Sequence, residues 1–426
     1  MLDLKESSEY SDRITEARKL RIHGQLNDAQ VILDSFTAIE DYMQKTDDFS
    51  ELLYERGCLF LGRGQYEESM RIFGDLVSRN DSGTTLGAGL GYNGQGLCFL
   101  ANGHHSLAMD LFRRTLEIYE LLDYRKGIAG VLGNTSECLL ELGEVKRSKA
   151  YLQRALDISK DSNYDYGVAW ATAGLGVIFA VENHLEESKN MFLEALQQLE
   201  SLGIEKVWVL CEAAEVFSLL GEHQFAENLL ERAMKTARNG SEGDLAKVQL
   251  QWGLLEFERG NLGLASHHFQ GVLSRSNEVK VRARAYIQMA RIHLSKYHSQ
   301  SRDYLVDEIA YFVDKAMALA EKPTPRVPLI VEISLVKAGL LEAQFDFDRS
   351  IEILQETEQQ SRQTDIPTLS KKIKDQIIRV RKKRMNILRL MESFQFKNLD
   401  TSQYLTQEDA KSYLEEALRA MGRGQR

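Results

Sequence analysis

Residues 175–196 read Leu175-Gly176-Val177-Ile178-Phe179-Ala180-Val181-Glu182-Asn183-His184-Leu185-Glu186-Glu187-Ser188-Lys189-Asn190-Met191-Phe192-Leu193-Glu194-Ala195-Leu196. An apolar-periodic stretch ends at Asn183, a residue that tolerates the left-handed backbone of a helix stop, and a second periodic stretch begins two residues later. Gly176, seven residues before the stop, and Ser188, five after it, are small enough for two helices to approach closely. The same arrangement recurs along the chain. Stops at Gly24, Gly64, Gly103, Gly143, Asn183, Gly221 and Gly260 return about every 40 residues, a repeat-array period. Each follows a small residue (Ala17, Gly57, Gly96, Ser136, Gly176, Ala214, Gly253) and precedes another (Ala29, Ser69, Ala108, Ser148, Ser188, Ala226, Ala265). Four residues beyond the second small residue comes a large apolar one: Leu33, Phe73, Phe112, Leu152, Phe192, Leu230 or Phe269. Phasing at this many positions identifies an array of helical hairpins.

The pattern resembles the tetratricopeptide repeat (TPR), whose two helices pack through a small residue in the first, a Gly or Ala in the second and a large apolar residue late in the second. Leu175-Gly176-x-x-Phe179 with Ser188, Phe192, Ala195 and Leu196 carries the resemblance, as does Leu132-Gly133-Asn134 with Leu142-Gly143, Leu152, Ala155 and Leu156. The usual period of that family is about 34 residues. A period near 40 implies helices longer by about a turn and a half, similar to the extended repeats of cell-polarity adaptors, kinesin light chains and bacterial peptide-sensing regulators. The expected fold is all-α, a right-handed α-solenoid of about nine TPR-like hairpins with C-terminal capping helices. Its core is expected to be a continuous stripe in which each repeat touches only its neighbours.

The expected organisation is a frayed N-terminus (1–9), eight repeats (10–321), a Pro-rich hinge (322–328), a ninth repeat (329–362), a basic amphipathic capping helix (363–396), and a linker with a final helix (397–426). In the eighth repeat, Ala283 to Ser295 reads as the first helix, and residues 296–301 replace the tight turn. Pro323, Pro325 and Pro328 argue against helix at the hinge. Thr406 and Asp409 form the start signal of the final helix and Gly422 its stop.

Composition excludes several function classes. The formal net charge is −10, from 53 basic and 63 acidic residues, which argues against a general nucleic-acid binder. No apolar run is long enough to span a bilayer, and the first residues lack the order of a signal peptide, so a cytoplasmic protein is expected. Cys58, Cys98, Cys138 and Cys211 fall in first helices of repeats. Equivalent positions of stacked repeats lie about a helix-packing distance apart, too far for a disulfide, so buried reduced thiols are expected. Between Lys371 and Arg389, nine basic residues stand against one acid. With Ile373, Ile377, Val380, Ile387, Leu388 and Met391 at roughly helical spacing, this segment reads as a cap with a solvated basic face. Lys382, Lys383 and Arg384 are its candidate partner surface; nucleic acid and membrane are not expected, and the basic segment 371–389 is the one candidate for either.

No catalytic constellation is visible. Gly87-Ala88-Gly89-Leu90-Gly91-Tyr92-Asn93-Gly94 lacks the preceding strand of a phosphate loop, and His104-His105 and His267-His268 lack further ligands at metal spacing. Neither an enzyme, a metal nor a cofactor is expected. Function is therefore expected in the concave groove, lined in this family by first helices at fixed offsets from the stop. Those offsets select Tyr54, Asn93, Asn134, Glu137, Trp170, Trp208, Gln251 and Arg291. Asn134 matches the groove asparagine that, in the extended-repeat members, bonds a ligand's peptide backbone. Trp170 and Trp208 combine large apolar area with a polar edge. The expected function is a non-catalytic adaptor or scaffold binding a protein segment or peptide in the groove. The alternative is a peptide-responsive sensor that controls a partner protein by changing superhelix conformation.

Overall fold

A computed structural model describes residues 4–43, 47–80, 84–300 and 304–395. Among these residues twenty α-helices run in order: α1 Leu4–Ile22, α2 Leu26–Asp34, α3 Glu40–Met43, α4 Asp47–Gly62, α5 Tyr66–Ser78, α6 Leu86–Ala101, α7 His105–Leu121, α8 Arg125–Glu141, α9 Val145–Asp161, α10 Asp165–Val181, α11 Leu185–Ser201, α12 Val207–Leu219, α13 His223–Ala237, α14 Glu242–Glu258, α15 Leu262–Arg275, α16 Val279–Gln300, α17 Tyr304–Glu321, α18 Val327–Ala343, α19 Phe347–Ser361 and α20 Pro367–Gln395. Among the described residues α1/α2, then α4/α5 through α18/α19, make nine antiparallel pairs, and α20 packs on α19 and α18. The fold is an all-α solenoid of TPR-like hairpins.

All seven stops have positive φ, from 64° at Asn183 to 82° at Gly143. The chain leaves each helix through a left-handed residue whose N–H, with the next, closes back on the last carbonyls: Gly103 N bonds Leu100 O at 2.9 Å and His104 N bonds Phe99 O at 2.8 Å. In the ninth hairpin Phe345 takes this role at φ 65°; Asp346 then caps α19 by accepting from Arg349 N at 3.2 Å.

The small positions sit where helices touch. A Cβ built on Gly96 would lie 2.5 Å from Phe112, one on Gly253 2.5 Å from Phe269, and one on Gly176 3.1 Å from Phe192. The second small residue adds a bond when it is serine: Ser69 donates to Gly57 O at 2.8 Å, Ser188 to Gly176 O at 2.7 Å, and Ser350 to Ala338 O at 2.9 Å. All four cysteines are free and buried.

Several local expectations need correction. Helix α1 starts at Leu4, inside the segment expected to fray, because no Gly or Pro interrupts residues 4–22. Helix α16 continues through the segment expected to replace a turn, reaching Gln300. The hinge is shorter than expected: α18 begins at Val327 with Pro328 in its first turn, where a missing N–H is tolerated. The final helix and the linker before it lie outside the described residues.

The larger correction concerns neighbours. Successive turns of the superhelix touch, so repeats far apart in sequence share contacts. Lys206, entering α12, donates from Nζ to Ile22 O at the end of α1. Arg326, only 2% exposed, donates to Leu319 O at 2.8 Å and lies 3.8 Å from Glu141, which Lys280 reaches at 2.6 Å. Asp365, before α20, accepts from the Val145 and Lys146 N–H groups at the start of α9, and its own N–H bonds Gly143 O at 3.1 Å. Thr368 donates to Val181 O at 3.2 Å. The nearest-neighbour expectation held only along the chain; the tight pitch adds a second set of contacts between turns.

Candidate functional site

Side chains of successive first helices meet across neighbouring repeats. Tyr54 on α4 accepts from Asn93 Nδ2 on α6 at 2.8 Å, and Asn93 Oδ1 accepts from Asn134 Nδ2 on α8 at 3.2 Å. This ladder joins three consecutive repeats and leaves the Asn134 carbonyl oxygen with no partner within the ladder. Trp170 on α10 leans over Gly133, beside Asn134: a Cβ on Gly133 would lie 3.2 Å from its Nε1. Its ring meets Trp208 on α12 edge-on, with centroids 4.7 Å apart. The Trp208 indole N–H is buried without a partner. Beyond the tryptophans, Glu215 on α12 accepts from Gln251 on α14 at 2.8 Å and from Arg284 on α16 at 2.6 Å.

Charge differs between the two ends of this run. At one end, Glu55 is 1% exposed and accepts from Arg18 at 2.6 Å and Arg21 at 2.7 Å. Burial alone pushes its carboxyl up, but the two guanidiniums outweigh that and hold it below the usual carboxylate range. Burial, with Arg21 nearby, pulls the Lys206 ammonium down to about 8. At the other end, Glu137, Glu141, Glu212 and Glu215 face Lys247, Lys280 and Arg284. Partial desolvation by its neighbours, together with Glu141, pushes the Glu137 carboxyl up against the pull of Lys280 and Lys247.

No protein-family model matches the chain, and neither does any curated protein sequence. Among solved structures, NprR in complex with its cognate peptide NprX is similar at a TM-score of 0.53 and 16% identity, over 74% of this chain and 88% of that one. The Rap conjugation gene regulator of the plasmid pLS20, in complex with the Phr* peptide, is similar at 0.53 and 12% identity, over 74% and 97%. This chain has the tetratricopeptide-repeat fold.

Within the TPR array the sequence-selected residues fall into three groups. Tyr54, Asn93 and Asn134 are bonded to one another, Trp170 and Trp208 are in contact, and Gln251 joins the charged end through Glu215. Asn93 and Gln251 are themselves buried, so they hold their neighbours in place rather than face solvent. Arg291 stands apart from the ladder. It lines a cavity of about 710 Å³ with Leu335, Glu342, Lys372 and Arg379, among α16, α18 and α20. On α20, Lys383 reaches Glu342 at 3.0 Å and Arg384 reaches Asp348 at 3.0 Å, while Lys382 is exposed. Two members of the expected basic surface are thus paired within the protein. Among the described residues no group of three or more His, Cys, Asp or Glu is arranged to hold a metal, and no helix is long and apolar enough to cross a membrane.

Sequence reasoning missed Arg21, Glu55, Glu141, Lys206, Lys280 and Arg284. For Arg284 the signal was present: it lies seven residues before Arg291 and therefore at the groove offset that selected Trp170 and Trp208, once the eighth repeat is phased on Arg291.

The two glutamates of α12 should respond oppositely to neutralisation. Burial and Glu215 push the Glu212 carboxyl up, so above its folded pKa the ionised group works against the fold. Glu215, despite burial, is held low by Arg284 and Gln251, so its stabilisation is present at neutral pH and lost only as pH falls through its depressed value. Glu212→Gln should therefore raise the urea midpoint at pH 7 and leave it unchanged below about pH 4.3, the ordinary glutamate value. Glu215→Gln should lower stability at pH 7 by about 1.5–3 kcal/mol, the range for hydrogen bonds to charged groups. Equal effects of the two substitutions would contradict the pairing.

Proposed function

We propose that the chain is a non-catalytic adaptor that captures a protein segment or peptide along the inner face of its TPR superhelix. The observation that carries this reading is the continuous run from the Tyr54–Asn93–Asn134 ladder to the Trp170–Trp208 pair. An amide fixed by its neighbours can bond a ligand's main chain whatever the ligand's side chains. Beside it, two tryptophans in contact provide the aromatic anchor characteristic of binding hot spots. Asn134 sets the register of the segment, and the tryptophan pair accepts one bulky apolar side chain.

The rival reading is a peptide-responsive regulator whose superhelix controls a partner protein. It draws support from the two similar structures, both peptide complexes, whose proteins share 16% and 12% identity with this chain. Both readings place the ligand in the same groove and differ in whether the array changes conformation.

Affinity capture with the full chain identifies the partner, and the groove is then tested by substitution. Trp208→Ala should weaken binding by at least about 2 kcal/mol, as hot-spot aromatics do, and Asn134→Ala by about 1 kcal/mol. Circular dichroism and urea midpoints separate lost binding from lost fold. Parent-like affinity in both variants would move the ligand off the inner face.

A further inference from the structure

Arg291, which the repeat phasing selects, has no place in the run from Tyr54 to Trp208. It lines instead the cavity of about 710 Å³ among α16, α18 and α20, a size usual for small-molecule sites, roughly 300–1,000 Å³. The lining divides by chemistry. Leu294 on α16, with Leu335 and Val336 on α18, is its apolar part. Gly339 extends that part: a β-carbon there would come to 3.1 Å from Leu294, so a side chain at this position would narrow the cavity. The polar part has cations in excess. Lys372, Gln376 and Arg379 stand at i, i+4 and i+7 of α20, on one helix face, and line the cavity with Arg291. Against the three cations stand two carboxylates, Glu342 and Asp375, and Glu342 is already met by Lys383 at 3.0 Å, with Arg379 no nearer than 3.7 Å. Among the described residues neither Arg291 nor Lys372 pairs with a carboxylate. Arg291 has only a 3.5 Å approach to Gln288, at the outer edge of a hydrogen bond.

We propose that this cavity is a second binding site, separate from the Asn134–Trp208 run, which takes a singly charged carboxylate carried on an apolar body. The carboxylate sits on Arg291 and Lys372, and the body lies against Leu294, Leu335 and Val336. The chemistry of each part follows from the lining. A half-buried guanidinium without a counter-ion is costly to keep out of water, and its N–H groups fork onto both oxygens of a carboxylate. One negative charge also cancels the surplus of the lining. The apolar wall then gives the rest of the ligand somewhere to leave water. Two sources carry this chemistry: a free aliphatic acid and the C-terminal residue of a peptide.

Octanoate and N-acetyl-leucine represent the two sources, with octanol and N-acetyl-leucinamide as their uncharged counterparts. The full chain is titrated with each by calorimetry, and its melting midpoint is followed alongside, since a ligand of the folded state raises it. At least one acid should bind one per chain and at least about tenfold tighter than its uncharged counterpart, the low end for a hydrogen bond to a charged group. The acid that does so identifies the source. Arg291→Gln should remove that advantage, and Lys372→Gln, at an exposed position where folding is not at stake, should reduce it. Arg381 is an exposed charge of α20 outside the lining, and Arg381→Gln should change nothing, because a solvated charge is screened. Equal losses from Arg291→Gln and Arg381→Gln would overturn the site in favour of a diffuse basic field. Undiminished binding in Arg291→Gln, acids no tighter than their uncharged counterparts, or no binding of either acid at millimolar concentration would each overturn it outright.

Discussion

Replacing Glu55 with alanine is expected to destabilise the N-terminal repeats by about 3–5 kcal/mol, the cost of removing one partner from a buried ion cluster. Glu55 accepts from Arg18 and Arg21 of the preceding hairpin, and its side chain is almost wholly enclosed. Without it, Arg21 keeps its charge with no carboxylate to meet it, while Arg18 retains Glu51 at 2.7 Å. The pH dependence carries a sign that a packing defect would not. The folded carboxyl titrates below its unfolded value, so its stabilisation is complete above about pH 4.3 and fades as pH falls through the lower folded value. The gap between parent and variant in urea midpoint should therefore be wide at pH 7 and close below pH 4. A gap under about 1 kcal/mol at neutral pH, the reach of an exposed ion pair, would mean that the arginines find other partners.

Truncating Phe192 to alanine should have a comparable effect, about 3–5 kcal/mol for emptying a buried aromatic site. Phe192 is fully buried and lies against Gly176. The reciprocal change, Gly176→Leu, adds bulk to the same contact and should destabilise by about 1–3 kcal/mol. Combined, the new leucine occupies the space that the phenylalanine leaves, so the double variant should be more stable than the sum of the single effects predicts, by about 0.5–3 kcal/mol of coupling. Strict additivity would show that the two positions do not share one contact and that the repeat phasing is displaced.

The hairpins were legible because everything that defines one lies within a single repeat length of chain. A left-handed stop such as Gly143 and a small contact such as Gly176 each leave a residue-type mark that repetition amplifies. The Tyr54–Asn93–Asn134 alignment was legible for the same reason, since fixed offsets place equivalent positions on one face. Burial of Asn93 was not, because it depends on how closely the next rung leans over it. The contacts of Lys206 with Ile22 and of Asp365 with α9 left no periodic mark. They depend on superhelical pitch, to which every repeat adds a small rotation, and the accumulated result is a property of the whole array. The eighth repeat hid Arg284 because its unbroken α16 removes the stop from which offsets are measured.

The contact between Asp365 and the start of α9 bridges 220 residues of chain. Closing a loop of that length costs about 1.5 kcal/mol more entropy than closing one of a single repeat, so local hairpins form first and this junction forms late. During synthesis the order is enforced by time. At about 5–20 residues per second, residue 365 follows residue 145 by roughly 10–45 s. Throughout that interval the edge at Gly143 faces solvent, because Asp365 has yet to be made. A nascent chain of this kind is half-built with one seam open, and that seam is where a chaperone or a mispaired second chain would find it.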